Sequence, residues 1–443
     1  MKKKIHIFWF RRDLRLDDNI GLYKSLNNPE DGSATLPIFI FDPAITERLG
    51  ENDLRLAMLH HQIEKLNQKL SAEGKQEILP FYGAPIDQFK QLASEFDLTK
   101  IYFNKGFSPF GRKRDQEIRD WAKSKSIGIK EFTDHIVFHP GEILNGQGKD
   151  YQVFTPFKKQ WLKQFSKEMV KEYGSEKSNL SSFPGSFKKA DPLEKSFLEM
   201  EDPLKPIAIG DQTIQNYQEQ RDFPWIKDGV SNLSPLLRFG FYSNRRAHRL
   251  ALGQSSVFQS ELIWREFFMH HLYFHPHVCN KEFQKIYIGI PWLEDHEGFE
   301  KWKKGQTGFA IIDAGMRELA ATGYMHNRVR MVVANFLTKQ LLIDWRWGER
   351  YFAEKLLDYE LSSNVCNWQW AAGTGVDAAP YFRIFNPDTQ LVKFDKQQEY
   401  TRKWVPEYGT FNYPEPMIDL KVGRNRAMEF FKEWREKNKD ATV

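Results

Sequence analysis

Cysteine is nearly absent from this 443-residue chain: only Cys279 and Cys366 occur, which leaves no disulfide framework and no thiolate cluster. That scarcity fits a reducing, cytoplasmic setting, and any redox chemistry must then use an organic cofactor or aromatic side chains. No apolar run approaches the roughly 18 residues that cross a bilayer, so no membrane association is expected. The basic start Met1-Lys2-Lys3-Lys4 precedes an apolar segment, Ile5 to Phe10, that is too short for a signal peptide. No G-x-G-x-x-G follows that segment, so no dinucleotide is expected in the usual Rossmann position. Internal repeats and low-complexity tails are lacking. The net charge, +5, is compatible with nucleic acid or with no particular partner.

What is plentiful is aromatic: 15% of residues, with 13 Trp. Eight of these, from Trp264 to Trp404, fall in the second half of the chain. Large aromatics usually pack cores, but this clustering calls for a second role. The length predicts two or three domains. Apolar runs at Ile5 to Phe10, Leu36 to Phe41, Ile78 to Tyr82 and Ile101 to Asn104 read as strands, alternating with helical periodicity over 53–71, 86–97 and 112–125. This order predicts an α/β domain with a parallel, doubly wound, Rossmann-like sheet over 1–134. Residues 135–205 lose periodicity and collect Gly, Ser, Lys and Pro, as in Ser181-Ser182-Phe183-Pro184-Gly185-Ser186, and read as an interdomain connection with some helix over 154–172. From 206 to 443 the pattern is that of an all-α domain.

Several constellations bear on chemistry. The turn Arg11-Arg12-Asp13-Leu14-Arg15-Leu16-Asp17-Asp18-Asn19 is either a surface salt-bridge network or a structural contact with another domain. His271 and His275 have helical i, i+4 spacing, with His277 and Cys279 nearby. Pro276 should stop the helix, however, and no acidic or cysteine partner follows at ligand spacing, so no metal is expected. Gly373-Thr374-Gly375-Val376-Asp377-Ala378 matches G-x-G-x-x-A but follows no strand, a weak phosphate signal. Ser231-Asn232-Leu233-Ser234 before an apolar helix is either an anion site or a plain helix cap. Glu261, Arg265, Asn327, Arg330, Asp358, Glu360 and Asn364 interrupt apolar helices, and such groups must satisfy one another or bind a polar ligand. Glu261 and Trp264 share a helical face, a stacking surface with a hydrogen-bonding neighbour.

At Trp264, Asn327 and Leu361-Ser362-Ser363-Asn364-Val365-Cys366-Asn367-Trp368-Gln369-Trp370 the chain resembles the DNA photolyase/cryptochrome family. The likeness runs from Trp9-Phe10-Arg11-Arg12-Asp13-Leu14-Arg15 to Pro380-Tyr381-Phe382-Arg383-Ile384-Phe385-Asn386-Pro387. It implies an antenna domain joined by a linker to a helical FAD-binding domain. The resemblance implies that Tyr217, Ser231, Asn232, Leu233, Ser234, Arg265, Arg330, Asp358, Glu360 and Asn364 surround FAD, with Asn364 near flavin N5. There a neutral amide tolerates an anionic reduced ring. Trp368, Trp345 and Trp292 match the family's electron-transfer tryptophans.

Within the family the sequence is closest to class I cyclobutane pyrimidine dimer photolyases. Glu261, Trp264, Asn327, Met331 and Trp370 match the residues that contact a flipped-out dimer, with Glu261 also placed to stabilise its radical anion. Arg221, Arg328 and Arg383 match phosphate contacts. Repair of (6-4) photoproducts is disfavoured because its pocket histidines fall at Asn327 and Met331. Tyr324, Val230 and Glu360 depart from the residues common at their positions, and none belongs to the dimer-contacting set. Phe107-Ser108-Pro109-Phe110-Gly111-Arg112-Lys113-Arg114-Asp115 resembles the deazaflavin-type antenna site more than the folate type, with a bare site the alternative. The expected protein is a monomer that repairs dimer-containing DNA with light; the rival is a cryptochrome-type photoreceptor, disfavoured by the lack of a C-terminal extension.

Overall fold

Five parallel strands lie in the order β3-β2-β1-β4-β5: β1 (Lys4–Phe10), β2 (Ala34–Phe41), β3 (Leu79–Tyr82), β4 (Asp97–Asn104) and β5 (Gly128–Phe132). The structure, a computed structural model, describes all residues except Met1, 28–32, Glu51, Asn179, 181–195, 205–209 and 440–443; Ser181 to Ser186 therefore lie outside the described residues. The continuous apolar runs of β1 and β2 fit a parallel sheet, which helices cover on both faces. Ile7 of β1 lies opposite Leu36 and Ile101. Ile5, Ile7 and Trp9 enter one core, while the alternate residues Phe8 and Phe10 enter the other. Each such burial contributes roughly 1.5–3 kcal/mol.

The expected strands and the helices Leu54–Ala72, Pro85–Glu95 and Pro109–Ser124 are present. β5 gave no sequence signal because it is an edge strand, Gly128-Ile129-Lys130-Glu131-Phe132, only half-buried and carrying two charges. The short helices Ile20–Leu26 and Pro43–Leu49 were also missed, having too few turns to show a period.

The chain divides into two units, each discontinuous in sequence. The first comprises Met1–Glu142, Gln164–Ala208 and Asn232–Leu252, and the second Ile143–Lys163, Ile209–Ser231 and Gly253–Val443. In the first unit the charged turn after β1 points inward. Asp13, Arg15 and Asp18 are buried. Arg15 Nη2 donates to both carboxylate oxygens of Asp134 at 2.8 Å, and Arg245 donates to Asp18 at 2.9 Å and to Asp134 at 3.0 Å. The surface reading of this turn is thereby excluded, and its partners Asp134 and Arg245 belong to the same unit rather than to another domain. Gly240 ends the Ser234–Phe239 helix at φ 67°, and a Cβ there would lie 2.0 Å from the Arg12 carbonyl, so both conformation and space require glycine.

The second unit is helical, and among the described residues no helix is long and apolar enough to cross a membrane. The predicted helix over 154–172 is Phe154–Gln164 followed by a 3-10 turn, Lys167–Val170. The Ser256–Phe274, Ala310–Thr322, Asn327–Asn335, Trp345–Lys355 and Leu361–Ala372 helices enclose a core built on Trp302, Trp345, Trp368 and aliphatic residues. Side-chain caps fix the starts of three of them: Ser255 accepts from Phe258 N, Asp344 from Arg346 N, and Glu360 from Ser363 N.

Candidate flavin and lesion site

Two of these helices wall a partly open cleft lined by polar and aromatic side chains. Asn327, Arg330 and Met331 repeat at i, i+3, i+4 on one wall; Glu360, Asn364 and Trp368 repeat at i, i+4, i+8 on the other, with Asp358 beside them. The lining thus joins residues expected at the flavin with two expected at the lesion. Asn327 is exposed and Met331 half-buried.

Arg330 and Asp358 form a bidentate pair, Nη1–Oδ1 3.1 Å and Nη2–Oδ2 2.9 Å, and Arg330 Nε donates to the Met325 carbonyl at 2.7 Å. Burial opposes the Arg330 charge, but Asp358 outweighs it and holds the guanidinium above its ordinary range. Asn364 Nδ2 donates to the Glu349 carbonyl at 3.1 Å and to Glu349 Oε1 at 3.0 Å, which leaves the amide oxygen as an acceptor. Burial raises the Glu349 carboxyl above its usual range, against the hydrogen bonds from Asn364 and Tyr359. Glu360 spends one oxygen on Ser362 and Ser363 as a helix cap. An oriented cation, an amide and a polar wall over buried aromatics suit a heteroaromatic ring with carbonyl and nitrogen edges, so the residues fit a flavin.

A second group stands outside the cleft lining. Arg221 pairs with Glu261, and its guanidinium carbon lies 5.4 Å over the Tyr217 ring; Arg328 Nη2 meets Asp222 Oδ1 at 2.7 Å. Burial, with the Glu261 charge adding to it, pushes the Tyr217 hydroxyl up to about 12. His326 caps the Asn327–Asn335 helix and feels charges of both groups; burial and then Arg330 lower its imidazole to about 4. Trp264 has Phe154 stacked on it at 3.6 Å and 10°, so only the rest of its surface is open to a base. Trp264, Arg265 and Trp370 are half-buried and Arg383 exposed. Ser231 closes a segment of the second unit, whereas Asn232, Leu233 and Ser234 belong to the first. There Asn232 adopts φ 49°, and Leu233, not a serine, occupies the cap position of a six-residue helix with no side-chain capping bond, so the plain-cap reading fails.

Of the three expected electron-transfer tryptophans, Trp368 lines the cleft, with Phe352 5.0 Å and Trp302 6.1 Å from its ring. The other two are joined by a residue that sequence reasoning missed. Glu282 Oε1 accepts from Trp345 Nε1 at 3.2 Å and from Trp292 Nε1 at 3.4 Å, while Arg346 Nη2 holds both Glu282 oxygens at 2.9 and 2.8 Å. Glu349 and Phe154 were missed as well. Their only sequence signals were a carboxylate on an otherwise amphipathic helix and an aromatic at a helix start, neither of them distinctive. The histidine motif also gains a partner that no local spacing could show: Asp150 Oδ2, from 125 residues earlier in the chain, lies 2.8 Å from His275 Nε2.

Comparison with known proteins agrees with this geometry. Residues 6–174 match the DNA photolyase family, and residues 258–412 match the FAD binding domain of DNA photolyase. The deoxyribodipyrimidine photo-lyase of Escherichia coli (strain K12) is 35% identical over 96% of this chain and 97% of its own length. A bacterial class III photolyase from Agrobacterium tumefaciens superposes with a TM-score of 0.87 at 30% identity, covering 98% of both chains. A cryptochrome from Synechocystis superposes with a TM-score of 0.84 at 25% identity, covering 97% of this chain and 99% of that one. With a parallel α/β sheet at one end, a helical FAD-binding domain at the other and relatives matched over nearly their full length, this chain belongs to the DNA photolyase family.

Proposed function

We propose that this photolyase-family chain splits cyclobutane pyrimidine dimers in DNA with light, through FAD held by the second unit. The observation that carries this reading is the shared cleft, whose lining brings Arg330, Asp358 and Asn364 together with Asn327 and Met331. The bound flavin supplies the photoexcited electron donor. Arg330, held by Asp358, and Asn364, whose amide Glu349 fixes, would hold the flavin. Tyr217, Ser231, Asn232, Leu233, Ser234, Arg265 and Glu360 complete the proposed FAD contacts on the strength of the resemblance.

In this reading the dimer leaves the helix stack and meets Trp264 and Trp370, with Glu261 and Asn327 on its hydrogen-bonding edges. Glu261 must then share itself between Arg221 and the lesion, since the two are already paired. Arg221, Arg328 and Arg383 grip neighbouring phosphates, which makes binding salt-dependent and indifferent to sequence. Trp292, Trp345 and Trp368 relay electrons inward, and Glu282 stabilises positive charge on the outer two indoles because one carboxylate oxygen accepts from both. The pocket residues favour class I selectivity, and Phe107 to Asp115 favour a deazaflavin-type antenna over a folate type, a choice that the absorption spectrum of the purified protein decides. A cytoplasmic monomer acting on DNA completes the reading.

The test is to incubate purified, flavin-reduced protein with dimer-containing DNA in blue light and in darkness. Loss of dimers in light alone is expected. Persistence of dimers in both, with flavin bound, would favour the cryptochrome-type photoreceptor.

A further inference from the structure

The Ser256–Phe274 helix carries His271 on its last turn, and His275 is the residue that ends it, so the i, i+4 pair stays on one face despite Pro276. The two rings lie 4.8 Å apart, tilted by 35°. Asp150, 125 residues before His275, comes from the segment that enters the Phe154–Gln164 helix and places Oδ2 2.8 Å from His275 Nε2. One ligand atom from each of Asp150, His271 and His275 lies within 4.8 Å of the other two. Bonds of roughly 2.0–2.2 Å around a tetrahedral ion put neighbouring donors about 3.4 Å apart, so side-chain shifts of about 1 Å close the set.

His271 is 2% exposed, and its Nδ1 has no hydrogen-bond partner among the described residues. A buried polar nitrogen left unpaired costs roughly 1–3 kcal/mol, which calls for an explanation at this position. Phe283 stands edge-on to both imidazoles, 4.5 Å from His271 and 5.1 Å from His275, and closes one side with an apolar wall. The side chains of His275 and Asp150 are 21% and 17% exposed, which leaves an entry path from solvent. Two imidazoles and one carboxylate suit a borderline ion; magnesium and calcium prefer more oxygens.

We infer that Asp150, His271 and His275 bind one divalent transition-metal ion of the zinc class, with water at the remaining position. Binding replaces the proton shared between Asp150 and His275 with the ion and engages the buried His271 imidazole. The ion clamps the 143–153 segment to the end of the Ser256–Phe274 helix. Phe154 follows Asp150 by four residues and stacks on Trp264, so the clamp also steadies that stacked pair. None of this depends on the flavin or repair reading.

The test uses the full chain, freed of metal with a chelator and titrated with Co²⁺ as a visible probe, followed by displacement with Zn²⁺ and metal analysis after gel filtration. One Co²⁺ per chain with d–d absorption is expected, weakened at least about tenfold in Asp150→Asn and in His271→Leu. Zn²⁺ should raise the thermal midpoint of the parent and not of these variants. A cooperative thermal transition and parent-like far-ultraviolet circular dichroism show that each variant is folded, and His275→Gln replaces any that is not. No stoichiometric binding would overturn the inference. So would binding that Asp150→Asn and His271→Leu leave unchanged while His277→Ala, at an exposed neighbouring imidazole, removes it.

Discussion

Two arginine–aspartate clusters, one in each unit, use the same chemistry to different ends. In the first unit Asp134 is saturated by Arg15 and Arg245, and Asp18 by Arg245, Arg249 and Ser243, all from the protein itself. In the second unit the Arg330–Asp358 pair borders a cleft, beside an Asn364 whose oxygen has no donor among the described residues and an exposed Asn327. Complete internal satisfaction marks structure; satisfaction left partial at the edge of a cavity marks a site.

The largest expected effect tests the structural half of that contrast. Asp134→Ala leaves two buried guanidinium groups without their shared partner and should cost about 3–5 kcal/mol, read as a lower thermal midpoint. Asp358→Ala should destabilise the fold much less, because the Arg330 side chain is 24% exposed, and should instead release FAD, with retention falling roughly 10- to 150-fold for a charged hydrogen-bonded contact. If Asp358→Ala unfolds the protein as readily as Asp134→Ala, the contrast is broken.

The two clusters also differ in pH response. Burial opposes ionisation of Asp134, but Arg15 and Arg245 hold its carboxyl far below the usual range. A depressed acid gives stability that is present above the unfolded value, about 4, and is lost as pH falls toward the folded one. The gap in midpoint between the parent and Asp134→Asn should therefore hold at neutral pH and shrink below about pH 4. His326, lowered to about 4 by burial and Arg330, should make the cleft region lose stability earlier, as pH falls from about 6.5 to about 4. His326→Gln should remove that earlier loss in a pH series of thermal midpoints.

Smaller effects sharpen the site. Trp264→Ala should weaken binding of dimer-containing DNA by about 1–3 kcal/mol, roughly 5- to 150-fold, with FAD content unchanged. Trp368→Phe should slow photoreduction of oxidised flavin while sparing repair by pre-reduced enzyme. Glu282→Gln keeps an acceptor but removes its charge, and should slow photoreduction only a few-fold. Transient absorption separates these two, since Glu282→Gln acts on the outer indoles alone.

The sequence made the sheet and the site legible to different degrees. The strands β1 and β2 show as apolar runs because they are buried on both faces, and the edge strand β3 still shows through Leu79, Phe81 and Tyr82, whereas β5, at the other edge, hides behind Lys130 and Glu131. Arg330, Asp358 and Asn364 stood out as polar residues in apolar helices, and the fold brings them to one cleft. Glu282 and Asp150 could not be seen, because an ordinary acidic residue acquires its meaning from indoles and imidazoles that only tertiary structure brings near. The inward turn from Asp13 to Asp18 was ambiguous for the same reason: its partners, Asp134 and Arg245, lie more than a hundred residues away.

The claim that one cleft serves flavin and lesion together is tested most directly by the fluorescence of the bound, reduced flavin during titration with dimer-containing DNA. Electron transfer within the shared cleft predicts quenching that saturates with binding and is weakened in Asn327→Ala. Full binding of the dimer-containing DNA with unchanged flavin fluorescence would contradict it.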